Sequence, residues 1–353
     1  MAFPCGISAP NRVWLAPMTN LQSNADGNLS NDELAWLESR AAGGYGVIET
    51  CAAYVADDGK AWDGELSVAH DHNLPGLTRL ASTLSSHGSI NLVQLFHGGV
   101  RASAELTGET PWSASAVEDG GVTPREASEA DISRVIESFR DAALRVHKAG
   151  FHGVELHGAH GYLLGQFLSK HNNRRNDSWG GSLKNRARLL LETLHSVRAA
   201  VPSSFIVGVR ISPEDFGQAR GLDLDENLEL SQWLKEGGID FLHLSLWTAT
   251  RNTTKRPDTH PIPLFRDAVG ANLPIVAAGH IWTRADAEAA LEKGADAVAL
   301  GRSAIGNPTW PRDIQDEYWQ PKRPPYTTQD LLDRGLSMKF AQYMKRWKNF
   351  VSD

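Results

Sequence analysis

The chain has 353 residues, 41% of them hydrophobic, enough to bury a large core as two ordinary domains or as one α/β barrel. Its 35 basic and 42 acidic residues are mixed along the chain for a formal charge of −7, with no long basic run to hold a phosphodiester backbone, so nucleic acid is not an expected partner. Cys5 and Cys51 are too few and too far apart for a disulfide framework, a four-cysteine zinc site or a cysteine-ligated iron–sulfur cluster, and they suit a reducing cytoplasm. The opening Met1-Ala2-Phe3-Pro4-Cys5-Gly6 has neither a basic leader nor an uninterrupted apolar stretch, so a soluble protein without signal peptide or membrane span is expected.

Short apolar runs that read as buried parallel strands fall at 12–16, 47–51, 91–96, 153–156, 206–211, 241–245, 274–278 and 297–300. Longer stretches of helical period separate them. One is marked by Ile132, Val135, Ile136, Phe139, Ala143 and Val146 on a single face and ends at Gly150. Another starts at Thr283, whose hydroxyl is placed to cap the helix with Asp286, and stops at Gly294. Strand–helix alternation builds either a closed barrel or an open doubly wound sheet; eight units and no G-x-G-x-x-G after the first strand favour a single (β/α)₈ TIM barrel spanning the chain. Long polar stretches at 52–73 and 98–128 read as insertions on the face where such barrels carry their active sites, and 327–350 reads as a closing helical segment.

Chemistry in such a barrel projects from the carboxyl ends of the strands. Strand one ends in Pro17-Met18-Thr19, strand two in Ala52-Ala53, and strand three carries Gln94 and runs into His97. Strand four delivers His157, His160 and Tyr162, and strand five Arg210; strands seven and eight run into Gly279-His280 and Gly301-Arg302. Gly279 and Gly301 would let backbone N–H groups approach a phosphate with Arg302 adding charge, or they are two ordinary turns beside a surface arginine. His157 and His160 fit an oxygen held by two imidazole N–H donors, a metal pair, or histidines satisfied in a polar loop; no Asp, Glu or Cys stands close in sequence to complete a metal shell, except Glu155 if it points inward. Tyr162 beside them is a proton donor or a structural phenol. Arg210 is costly to bury without an anion, which is either a ligand or a carboxylate such as Glu214 or Asp215. Gln94 offers both donor and acceptor to a ring edge or to barrel backbone.

These residues resemble the Old Yellow Enzyme family of FMN-dependent ene-reductases and NAD(P)H:flavin oxidoreductases. The resemblance runs from Asn11-Arg12-Val13-Trp14-Leu15-Ala16-Pro17-Met18-Thr19 to Gly301-Arg302-Ser303-Ala304-Ile305-Gly306-Asn307-Pro308. It is most specific in Gly153-Val154-Glu155-Leu156-His157-Gly158-Ala159-His160-Gly161-Tyr162-Leu163-Leu164 and in the following Asn173-Arg174-Arg175-Asn176-Asp177 and Trp179-Gly180-Gly181-Ser182-Leu183. It implies tightly bound, non-covalent FMN lined by Pro17, Met18, Thr19 and His157, with Thr19 donating to the O4/N5 edge, Gln94 and Arg210 on the pyrimidine edge, Ala53 meeting the ring through its backbone, and Gly279, Gly301 and Arg302 on the phosphate. It further implies that NADH or NADPH reduces FMN and that hydride then passes to the β carbon of an activated alkene, an α,β-unsaturated carbonyl or nitro compound. In that scheme His157 and His160 bind the substrate oxygen and Tyr162 protonates the α carbon. A homodimer is the family-level expectation.

One branch of the family has cysteine at the position of Thr19 and tyrosine two residues on, where this chain has Leu21, so that substrate contact is expected to be missing. Larger relatives append iron–sulfur and dinucleotide-binding domains; without their cysteines, this chain is expected to take electrons from a soluble donor. Two alternatives remain: an NAD(P)H oxidase or quinone-type reductase working on the same flavin site, and a flavin-free barrel lyase or isomerase. Trp62, Trp112 and Trp247 are candidates to line the pocket.

Overall fold

The computed structural model describes residues 1–215, 217 and 219–353. Eight of its strands close into a ring: β1 (Val13–Leu15), β2 (Val47–Tyr54), β3 (Ile90–Phe96), β4 (Gly153–His157), β5 (Ile206–Ile211), β6 (Phe241–Ser245), β7 (Ile275–Ala278) and β8 (Ala297–Leu300). Each pairs in parallel with its sequence neighbours, and β1 pairs with both β2 and β8, which leaves no free edge. This is a (β/α)₈ TIM barrel. Helices α1 (Asn31–Ala42), α2 (Leu74–Ser86), α3 (Glu129–Lys148), α4 (Leu183–Ala200), α5 (Leu224–Glu236), α6 (Pro261–Val269), α7 (Arg284–Glu292) and the short α8 (Arg302–Gly306) follow the strands in turn.

Local chemistry sets the helix starts. Ser128 and Asp131 form a capping box at α3, Thr283 and Asp286 form another at α7, and Ser30 and Asp223 cap α1 and α5. Gly150 and Gly294, just past α3 and α7, take positive φ of 91° and 105° and let the chain turn into the next strand.

Strand alternation divides the side chains between two cores. Outward residues such as Val154 and Leu156 join Ile132, Val135, Phe139, Leu189 and Leu190 in the layer under the helices. Inward residues Trp14, Val47, Ile90, Ile206, Phe241, Val276 and Ala297 fill the amino end of the barrel, sealed by Phe3 from the N-terminal segment. Phe3 lies 5.9 Å from Trp14 and 6.0 Å from Phe241, and a Cβ at Gly208 would stand 2.0 Å from the Phe241 ring, so β5 has glycine where that ring crosses the interior.

The structure corrects three expected boundaries. β2 runs on past Cys51 to Tyr54, because a register shift between Glu49 and Ala52 re-pairs it with β3. The stretch at 98–128 holds its own small elements: a short helix at Ala104–Thr107 and a parallel pair of Trp112–Ser113 with Arg125–Glu126. The closing segment is two helices, Thr328–Asp333 and Met338–Met344, parted at Gly335 with φ of 83°. No helix among the described residues is long and apolar enough to cross a membrane.

Phe3→Ala removes the plug and leaves a void against Trp14 and Phe241; it is expected to cost about 3–5 kcal/mol of stability, read as a lower denaturant midpoint, with the helical circular dichroism of the folded state retained.

Candidate active site

A cavity of about 650 Å³ opens at the carboxyl ends of the strands. Its walls include Pro17 and Met18 after β1, His160 after β4, Arg210, Ser212, Ser245, Gly279, Gly301 and Arg302. The closed ring therefore brings together residues that lie nearly three hundred positions apart.

One side of the site is built on β4. His157 is buried, and its Nδ1 accepts from the Ala159 backbone N–H at 3.4 Å, which leaves the ring proton on Nε2. The His160 ring stands 5.1 Å away at 89°, and its Nε2 meets Ser245 Oγ at 2.6 Å. His160 has φ of 60°, a costly conformation that turns the chain sharply after the strand; its ring lines the cavity, whereas His157 is buried beside it against Phe96 and Tyr162. Burial, with the Arg210 charge adding to it, holds both imidazoles well below their usual pKa, so both are neutral. Tyr162 lies 5.1 Å from His157 and packs edge-on against Phe96 at 4.5 Å. Desolvation pushes its phenol up to about 12 despite the nearby Arg101, so it keeps its proton.

The other half is the floor and far wall. Arg210 Nη2 donates to Ser245 Oγ at 3.2 Å, but the buried Nε has no partner among the described residues. Neither expected carboxylate takes it: Glu214 accepts from the Thr254 and Lys255 backbone, and Asp215 accepts from Gly221 and Leu222. Gln94 is buried and donates to Glu155 Oε1 at 2.6 Å, leaving its carbonyl oxygen without a described bond. Gly279 takes φ of 158°, and a Cβ there would press on the Leu246 carbonyl at 2.5 Å; at Gly301 a Cβ would meet only Met18 Sδ at 3.5 Å. Arg302 is exposed at the rim beside His280, and the buried Ser303 Oγ next to it lacks a described partner. An orphaned guanidinium nitrogen on the floor, an orphaned hydroxyl and open glycine backbone on the wall, and the space between them fit a group such as FMN.

Other expected residues fall differently. The Ala53 methyl packs in the outer core, so only its backbone can face the pocket. Glu155 does point inward, but its partners are Gln94 and His243 rather than His157 and His160. Trp247 lines the cavity, whereas Trp112 is buried away from it, donating to Asp58 at 2.9 Å and packing on His97; Trp62 packs on Phe96 behind Tyr162. Four contributors escaped the sequence reading. Ser245 at the end of β6 bridges Arg210 and His160, and its strand-end position is the signal that could have found it. Arg101 donates to the His160 carbonyl at 2.5 Å and sits 5.5 Å from the Tyr162 ring. From the helix Met338–Met344, the Tyr343 phenol hydrogen-bonds the Thr19 side chain, and Trp347 beyond it lines the cavity; nothing in the closing segment marked either.

Residues 7–320 match the model of the NADH:flavin oxidoreductase / NADH oxidase family. The chain belongs to this family. It is 34% identical over 322 residues to a probable NADH-dependent flavin oxidoreductase, YqiG, of Bacillus subtilis, covering 89% of this chain and 86% of that one. It is 37% identical over 324 residues to an NADH:acrylate oxidoreductase of Vibrio harveyi, spanning 88% of this chain but only 32% of that much longer protein. The structure of an Old Yellow Enzyme homologue from Zymomonas mobilis superposes with a TM-score of 0.84 at 25% identity, over 97% of this chain and 98% of that one. The match and the superposition place the chain in the Old Yellow Enzyme group of the family, which implies FMN as cofactor with NADH or NADPH as donor.

Arg210→Lys keeps the buried charge but loses the planar fork that supplies Nε. It is expected to weaken FMN binding by about tenfold, read by fluorescence titration of the FMN-stripped protein.

Proposed function

We propose that the protein is an ene-reductase that reduces the carbon–carbon double bond of an α,β-unsaturated carbonyl or nitro compound. The observation that carries this reading is the perpendicular pair of neutral imidazoles, His157 and His160, at 5.1 Å, with the protonated Tyr162 phenol 5.1 Å from His157. Arg210 and Gln94 would hold the ring of FMN, which would supply hydride chemistry between a reduced nicotinamide and the substrate.

The residues divide the remaining work. His157, with its proton on Nε2, and His160 donate to the electron-withdrawing oxygen, which lowers the cost of negative charge there as the β carbon is reduced. Because burial keeps both imidazoles neutral, they polarise the oxygen without surrendering a proton to it. Tyr162 then gives its proton to the α carbon, with Arg101 beside the ring to stabilise the phenolate left behind. Thr19, held by Tyr343, and the Pro17–Met18 backbone complete the wall along the cofactor. The mouth between Trp247, Trp282 and Trp347 suits a flat, largely apolar substrate. With Cys5 and Cys51 as free thiols, the enzyme works in the reducing cytoplasm.

A second reading rests on the matched segment being a third of the acrylate oxidoreductase: the same site passes electrons to oxygen, a quinone or a partner protein. Anaerobic reduction with NADH or NADPH followed by cyclohexenone, a maleimide or a quinone separates the two. Reoxidation by an enone or maleimide well ahead of oxygen is the expected result, and no such preference would remove the ene-reductase assignment.

Tyr162→Phe is expected to slow reoxidation by an alkene about 10²- to 10⁴-fold while reduction of FMN by the nicotinamide stays within a few-fold of wild type. Stopped-flow measurement of the two half-reactions checks this, and equal loss in both would refute the acid role. The alkene half-reaction should also be flat between about pH 6 and pH 9, since the histidine pKa values lie below this window and the tyrosine pKa above it.

A further inference from the structure

Beneath the cofactor floor, the barrel interior is polar. Glu49 of β2, Glu155 of β4 and His243 of β6 are all fully buried and bring one ligand atom each within 4.8 Å of one another. Glu155 Oε1 accepts from Gln94 Nε2 at 2.6 Å, and its Oε2 lies 2.6 Å from His243 Nδ1. Glu49 Oε2 is 3.8 Å from the same nitrogen, and neither Glu49 oxygen has a donor among the described residues. Arg210 of β5 faces both carboxyls. β1, β7 and β8 add Trp14, Ala16, Val276, Ala278, Ala297 and Ala299, none of them titratable. His157 and His160 lie above, and like His243 they are kept neutral by burial.

Two buried carboxyls around one buried guanidinium are one negative charge too many. Glu155 already has an amide and a ring nitrogen on its oxygens. Glu49, with no donor, is the one that must hold a proton, and the neighbouring carboxylate can then accept from it. This balance depends on what lies on the other side of Arg210.

We propose that Glu49 and Glu155 form a proton-holding pair coupled to the cofactor, sharing one proton while FMN is oxidised and taking a second when reduction brings negative charge to the ring edge over Arg210. The inference rests on the cofactor placement given above and on nothing about the alkene. An anion above Arg210 competes with the carboxyl pair for its charge, and a second proton on the pair restores neutrality to the interior. The balance is complete: a hydride leaves the reduced nicotinamide for the cofactor, and one proton from solvent is taken by the pair, converting its remaining carboxylate to the acid. Reduction of the protein thus consumes two protons per electron pair, one carried in the hydride and one taken from solvent.

The test is the pH dependence of the FMN midpoint potential, measured by spectroelectrochemistry on the FMN-loaded protein between about pH 7 and pH 9, above the ordinary histidine range, from which burial lowers His157, His160 and His243. Wild type is expected to show about two protons per electron pair, and the double variant Glu49→Gln with Glu155→Gln about one. A wild-type value near one overturns the proposal. A value near two in both proteins also overturns it, since the second proton would then belong to the ring. Should the double variant fail to fold or load, infrared difference spectra of wild type decide: a protonated-carboxyl band that grows on reduction supports the pair, and no change refutes it. No alkene enters these measurements, so their failure leaves the ene-reductase reading intact, and the loss of that reading leaves this proposal standing.

Discussion

Pairing of β1 with both β2 and β8 is the constraint on which the rest of the molecule depends. It removes the sheet edge, and it forces alternate residues of every strand to point at one shared axis, where only a fixed volume exists. That volume is filled at the amino end by Phe3, Trp14 and Phe241, by a charged layer in the middle, and at the carboxyl end by the cavity. Because all eight strands are parallel, their carboxyl ends share one mouth, and side chains from β1, β4, β5, β6, β7 and β8 converge there.

The buried polar layer links folding to chemistry. Glu155 is anchored by Gln94 and by His243, and through the first it fixes the buried amide of β3. Arg210 sits between this layer and the cavity with one nitrogen held by Ser245 and another left open. A cation so placed is tolerated only because carboxyl groups lie below it, and it is useful because an anion can lie above. The same Ser245 hydroxyl bonds His160, so Arg210 and His160 are mechanically one unit.

The mouth is assembled from parts that share no sequence neighbourhood. Arg101 comes from the loop after β3, Trp247 from the loop after β6, and Tyr343 and Trp347 from the segment after the barrel, whose Phe340 packs 5.0 Å from Trp36 of α1. This packing carries Tyr343 to Thr19. A phenol thereby stands at Thr19, two residues before Leu21.

By itself the sequence determined the elements and their chemistry: eight apolar runs of strand length, helices announced by the Ile132–Val146 face and by Thr283–Asp286, and the His157, His160 and Tyr162 spacing at the end of the fourth run. These are local signals, written in periodicity and in contacts only a few residues apart. It also carried the family resemblance, which the match over residues 7–320 upholds. What only the tertiary structure decided is what each buried charge meets. From sequence, Arg210 had Glu214 and Asp215 as neighbours, yet in the barrel its surroundings are Glu155, Glu49 and Ser245, from three other strands. Glu49 had no visible reason to be polar, and Tyr343 no visible reason to matter. Burial and long-range register create those partnerships, and neither is encoded in the spacing of residues along the chain.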